Sequence, residues 1–173
     1  MKRWYVLHVL TGSEVDVQRQ LKDEGVDAVV VQESVMLRRG GMWQAELRIL
    51  FPGYVFAYIH YTPAAHYLLH GIPGVIRLLP KEKPMPLLPE DSAWLFEVCG
   101  EVLGVSSVDF TREPPVVVDG PLKELQQYII SYNRRQRRAQ LRIPILGVDK
   151  EITLSIVPAD TQIIPNASIS GGG

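Results

Sequence analysis

At 173 residues the chain has room for one medium domain or two small ones, and 18 Lys and Arg against 19 Asp and Glu leave a net charge of −1. That balance excludes a bulk polyelectrolyte, so any affinity for nucleic acid must come from a local patch. The single cysteine, Cys99, excludes an internal disulfide and a cysteine-rich metal centre, and no apolar run approaches the ~20 residues that span a bilayer.

Trp4 to Val9, rich in aromatic and β-branched residues, predicts a first strand, and its position directly after Met1-Lys2-Arg3 argues against a signal peptide. A cytoplasmic protein with no membrane contact is therefore expected. Ser13 is placed to cap a helix over Glu14–Lys22, with Val15, Val17 and Leu21 as its apolar contacts and Gly25 as its stop. A strand is expected over Asp27–Gln32. Met36 to Leu47, where Arg38-Arg39-Gly40-Gly41 meets Trp43, reads as a hairpin or a mobile loop.

The most distinctive stretch is Leu50 to Ile59. Pro52-Gly53 forms a rigid corner, and the strand after it alternates Tyr54, Phe56 and Tyr58 on one face with Val55, Ala57 and Ile59 on the other. Two apolar faces require two packed neighbours: this protein's own core on one side, and a covering helix or a partner on the other. Pro63–His70 predicts a short helix, Gly74–Leu79 a strand, and Pro89–Cys99 a second full helix capped by Asp91 or Ser92. Strands interleaved with helices predict an α+β sandwich over residues 1–100.

Apolar periodicity then weakens. Residues 91–113 hold five acids against Arg112, and a linker is expected over 101–113, ending at Pro114-Pro115. Beyond it, Val116–Val118, Tyr128–Tyr132, Ala139–Leu146 and Glu151–Val157 are short runs separated by turn signals, which predicts a small all-β barrel over 114–165. The glycine-rich end, 166–173, has no means of ordering itself.

Candidate chemistry is concentrated in one place. His66 and His70 stand four apart, but no carboxylate or cysteine accompanies them at ligand spacing, and no serine, cysteine or histidine sits in a nucleophile motif. Neither an enzyme nor a metal or other cofactor is expected. Asn133 to Arg142, by contrast, packs five arginines into ten residues without an acid: Arg134, Arg135, Arg137, Arg138 and Arg142. Like charges this close repel, and phosphate contacts relieve that repulsion while releasing counterions. These arginines, with Lys123, are the candidate nucleic-acid contacts; a solvated hairpin tip is the competing reading. Arg38, Arg39, Arg19 and Lys22 are weaker candidates for DNA.

With both halves in view, the chain resembles the NusG family of transcription elongation factors over nearly its full length. Trp4-Tyr5-Val6-Leu7 followed by Gly12, Leu50-Phe51-Pro52-Gly53-Tyr54-Val55-Phe56, and Ile72-Pro73-Gly74-Val75 look like the motifs of that family's N-terminal domain. Val118-Asp119-Gly120-Pro121-Leu122 and Ile145-Leu146-Gly147 resemble the KOW-type, SH3-like barrel. The resemblance implies an N-terminal domain that docks an apolar patch on the clamp helices of the largest RNA polymerase subunit and opposes pausing. Carried over by position, the patch comprises His8, Phe51, Tyr54 and Phe56, with His66 and Tyr67 near the opposite jaw of the cleft. The dense arginine cluster looks more like the specialised LoaP group of paralogues, whose barrel can bind an RNA hairpin in processive antitermination. A monomer is expected, with an RNA hairpin or DNA of the elongation complex as its second partner. Two alternatives stand beside this reading: a general elongation factor whose barrel recruits a protein, and a ribosome-associated KOW module.

Overall fold

The computed structural model describes residues 1–98, 100 and 102–160. In chain order the elements are β1 (Arg3–Val9), α1 (Glu14–Asp23), β2 (Asp27–Val29), β3 (Gln32–Arg39), β4 (Met42–Ile49), β5 (Tyr54–Ile59), α2 (Pro63–His70), β6 (Val75–Leu78), α3 (Pro89–Ala93), β7 (Val102–Leu103), β8 (Ser106–Asp109), β9 (Val116–Asp119), β10 (Ile129–Asn133), β11 (Arg138–Ile145) and β12 (Val148–Pro158). A π-helical turn spans Trp94–Val98 and a 3-10 helix Pro121–Tyr128. The fold class is α+β with strands dominant, as the sequence predicts. The chain divides into two compact units, one of Met1–Val31, Ile49–Glu101 and Ile145–Val148, the other of Gln32–Arg48, Val102–Pro144 and the chain from Asp149.

In the first unit, β2-β5-β1-β6 form one sheet, with β1 and β5 antiparallel in the register His8↔Tyr54 to Arg3↔Ile59. The two-residue strand period sends Tyr5, Leu7 and Val9 with Val55, Ala57 and Ile59 to one face, where they meet Val17 and Leu21 of α1 and Leu69 of α2. Within α1, Val17 and Leu21 are buried as expected, but Val15 is exposed and Glu14 takes an interior place instead. The Glu14 carboxylate accepts the backbone N–H of Gly12 at 2.9 Å and of Gly53 at 2.8 Å, so it ties the β1–α1 loop to the Pro-Gly corner. That corner is a β-turn closed by the Tyr54 N–H donating to the Phe51 carbonyl at 3.1 Å, and Gly53 supplies its left-handed residue at φ 83°. Glu14→Ala would leave two loop N–H groups without their acceptor. It should cost about 2 kcal/mol in urea denaturation, and a loss under 0.5 kcal/mol would contradict this bracing role.

Two helix caps differ from expectation. Ser13 makes no side-chain cap bond to α1. Neither Asp91 nor Ser92 caps the helix at 89; Leu88 occupies that place, because Pro89 is pre-set for the first helical turn. The full helix expected over 89–99 is α3 followed by the π-helical turn, and Cys99 lies outside the described residues. The short helix at 63 begins as predicted, with the Thr62 hydroxyl accepting the Ala65 N–H at 3.1 Å.

The second unit contains the sheet β10-β11-β12-β8-β9, the small all-β barrel predicted from the turn spacing. Its interior is Val108, Val117, Leu122, Leu125, Ala139, Leu141, Ile143, Leu154 and Ile156, all buried. The expected linker 101–113 is corrected: β7 and β8 lie within it, and β8 pairs parallel with β12 from Ile156↔Ser106 to Val157↔Ser107 and Pro158↔Val108. Alternation of buried Ser106 and Val108 with half-buried Ser107 and Asp109 makes the segment a strand despite its acidic surroundings. The strand expected at Tyr128 starts at Ile129, since the 3-10 helix claims the residues before it. The β3–β4 hairpin also belongs to this unit: β3 pairs with β7, and the Met36 N–H donates to Ser155 Oγ of β12 at 3.1 Å. The tail expected at 166–173 lies outside the described residues.

Candidate functional site

The aromatic face of the first unit is built from the outward residues of β1 and β5. His8 and Tyr54 sit opposite each other and meet edge-on at 6.1 Å, both half-buried. Trp4 stacks on Phe96 at 4.2 Å and lies 5.1 Å from Tyr58. Phe56 is wholly buried, with Phe51 at 5.9 Å and Phe96 at 5.7 Å, both edge-on. Phe51 and Phe56 are therefore corrected as exposed docking residues: both are buried, and Phe96, forty positions downstream of Phe56, packs on the Phe56 ring. What remains accessible is the His8–Tyr54 end.

His66 and Tyr67 lie on α2. The Tyr61 hydroxyl and His66 Nδ1 are 2.8 Å apart, and the His66 and His70 rings stack at 4.1 Å. Tyr67 is 77% exposed, the most exposed tyrosine of the proposed patch. No group of three or more histidine, cysteine, aspartate or glutamate side chains among the described residues could hold a metal ion.

In the second unit the arginine cluster separates into two populations. Arg138 enters the interior and pairs with Glu33 at 3.4 Å, the two side chains being 15% and 4% exposed. Burial raises the Glu33 carboxyl above the ordinary carboxylate range, and Arg138 opposes that rise. Arg142 pairs with Glu151 at 2.8 Å across β11 and β12, a bond that raises the guanidinium pKa. Arg138 is corrected as an open phosphate contact, since it points inward and is held by a buried carboxylate, whereas Arg142 is 53% exposed and stays a candidate. Lys123 is exposed on the 3-10 helix and is not part of the cleft described next. Among the weaker candidates, Arg39 is paired with Glu46 and Arg19 with Asp16.

Arg134, Arg135 and Arg137 make no ion pair among the described residues. They occupy the turn between β10 and β11, which Asn133 braces by accepting the Gln136 N–H at 2.9 Å. The brace leaves Arg137 in the left-handed region at φ 55°, and its guanidinium lies 4.4 Å over the Trp43 ring. On the other side of the turn the Arg134 guanidinium lies 5.5 Å over Phe110. Trp43, Arg134, Arg135, Arg137, Pro158 and Asp160 line an open depression of about 570 Å³. Sequence reasoning gives Trp43, Phe110, Pro158 and Asp160 no role at a site; the one signal for Trp43 is a large aromatic just after the basic Arg38-Arg39-Gly40-Gly41 turn.

The family model described as "Transcription termination factor nusG" matches residues 2–94, which include β1, β5 and the Pro-Gly corner between them. The chain belongs to the NusG family. It is 25% identical to the transcription termination/antitermination protein NusG of Bacillus subtilis over 92% of this chain and 98% of that one. With the Thermus thermophilus NusG it shares 26% identity over 87% and 94% of the two chains. A structure concerned with domain interaction in Thermotoga maritima NusG superposes with a TM-score of 0.51 at 18% identity, covering 90% and 94%, which shows a shared fold. As a NusG-family protein the chain is a transcription termination/antitermination factor, and family membership supports its reading as a non-enzyme. No helix among the described residues is long and apolar enough to cross a membrane.

Proposed function

We propose that this NusG-family protein is a processive antitermination factor of the specialised, LoaP-like kind, cytoplasmic and monomeric. Its N-terminal unit binds the clamp helices of RNA polymerase, and its basic barrel unit binds an RNA hairpin. The observation that carries the RNA reading is the gathering around one depression of three guanidiniums that make no ion pair among the described residues, Arg134, Arg135 and Arg137. A merely solvated tip would gain from interspersed acids, whereas here Arg134 lies over Phe110 and Arg137 over Trp43, and a guanidinium held over a ring keeps hydrogen-bonding edges for phosphate.

Arg134→Ala with Arg135→Ala should weaken binding of a stem-loop RNA about tenfold at 0.15 M salt. The slope of log affinity against log salt should also become shallower by about one to two. Unchanged affinity and slope in fluorescence anisotropy would end the RNA reading. For the polymerase face, the expected contacts are His8, Tyr54, His66 and Tyr67. Tyr54→Glu should abolish co-purification with RNA polymerase while leaving RNA binding intact, and undiminished co-purification would count against clamp docking.

A second reading has its own observation. Val116, Val118 and Ile130 are exposed apolar residues on the barrel's β9 and β10, and they suit a recruited protein better than RNA. A partner captured equally by the wild type and by the arginine double variant, with no RNA bound by either, would favour that general elongation factor.

A further inference from the structure

We propose that the cleft between Trp43 and the β10–β11 turn is a subsite for one unpaired nucleotide carrying an exocyclic amine on its base. This deepens the RNA reading above and rests on it. The Arg137 guanidinium carbon lies over the Trp43 indole, 4.4 Å from the ring centroid, and the pair offers a platform for a base, since bases stack on aromatic rings and on arginine planes alike. Pro158 supplies a second apolar wall, and about 570 Å³ falls within the range of small-ligand sites, about 300–1,000 Å³. Arg134 and Arg135 stand at the same cleft to take the flanking phosphates, Arg134 already steadied over Phe110.

Two features set this apart from a plain anion site. First, the cleft includes a carboxylate, Asp160. An ionised carboxylate only accepts hydrogen bonds and repels phosphate, so beside three arginines it suits a donor on a base edge. Cytosine N4 and adenine N6 are such donors, whereas uracil offers an oxygen there. Second, Arg137 is held at φ 55° in a non-glycine left-handed conformation, a cost of about 1–2 kcal/mol that the Asn133-braced turn sustains. That conformation accompanies the placement of the guanidinium on Trp43.

The test uses the full chain and fluorescein-labelled 12-mers rA12, rC12 and rU12, the DNA 12-mer dC12, and a 12-base-pair RNA duplex, read by anisotropy. Wild type should bind rA12 and rC12 about tenfold tighter than rU12, and Asp160→Ala should bring the three within about twofold. Trp43→Ala should weaken rC12 about tenfold while duplex binding stays within twofold. A cytosine preference that persists in Asp160→Ala, or equal weakening of duplex and rC12 by Trp43→Ala, would overturn the subsite. Loss of all probes on Arg134→Ala with Arg135→Ala, with no effect of Trp43→Ala or Asp160→Ala, would keep the RNA reading and reject the subsite; no effect of the arginine pair on any probe would reject the RNA reading itself. Equal binding of dC12 and rC12 would assign the subsite to unpaired nucleotides of either sugar. Competition by free CMP at Kd equal to that of rC12 would overturn the assignment to a polynucleotide. If Trp43→Ala does not fold, rA12 with one 2-aminopurine reports stacking on the wild type, and unquenched fluorescence in the complex would reject the proposal.

Discussion

Gly120→Ala should destabilise the barrel unit by about 4 kcal/mol, the largest loss expected of an added methyl at any described glycine. Gly120 sits at φ 100° and ψ 179°, a region open essentially to glycine alone, which by itself costs another residue about 1–3 kcal/mol. A Cβ there would stand 2.6 Å from both Cα and Oγ of Ser106. Ser106 is unable to yield: it is 1% exposed, it lies opposite Ile156 in the β8–β12 pair, and its hydroxyl accepts the Leu122 N–H at 3.0 Å. Overpacking against such a neighbour adds about 1–3 kcal/mol. Gly25→Ala is the matched control, with φ 79° and open space around the added carbon, and should cost only about 1 kcal/mol. Urea denaturation of the two variants separates the terms. A Gly120→Ala loss no larger than that of Gly25→Ala would show that Ser106 does not press on this turn.

Arg138→Ala should cost about 3 kcal/mol at pH 7.5, because it strands Glu33 as a buried carboxylate. Glu33 is 3% exposed, Arg138 Nη1 at 3.4 Å is its ion-pair partner, and its Oε2 has no hydrogen-bond donor among the described residues. Burial already lifts its pKa above the unfolded value, so between those two values the folded state holds more protons than the unfolded one. Glu33's contribution to stability is therefore most favourable below the unfolded pKa. It declines as pH rises to the folded pKa and is flat above it. Removing Arg138 lifts the folded pKa further and widens that window, so part of the loss in Arg138→Ala should be recovered on acidification from pH 7.5 to pH 5, beyond any recovery of the wild type. Denaturant midpoints at the two pH values test this. A loss below 1 kcal/mol at pH 7.5, or one that does not shrink at pH 5, would mean that Glu33 reaches solvent without Arg138. Either outcome would return Arg138 to the set of arginines open to phosphate.

These two residues illustrate where sequence reading stops. Arg138 looks like its neighbours Arg134, Arg135 and Arg137 in the chain, and the partner that removes it from them, Glu33, is 105 residues away. Trp43 likewise becomes part of a cleft only through a turn more than ninety positions downstream. By contrast, α2 begins at Pro63 as expected, since a proline at the first helical position acts within one turn. The Pro-Gly corner and the alternation of β5 were equally readable.

Sequence by itself determined β1, α1, α2 and the aromatic strand β5, the α+β class, the Pro-Gly corner and the position of the basic turn, together with the motifs that point to the NusG family. Those features depend on backbone preferences and on periods of two or 3.6 residues, which are local. Only the tertiary structure decided that Phe51 and Phe56 are buried, with Phe96 packed on Phe56, that 106–109 is a strand beside β12, and that three arginines of five make no ion pair among the described residues and line a cleft with Trp43. Burial and charge pairing depend on which distant segments meet, and no local period encodes that meeting.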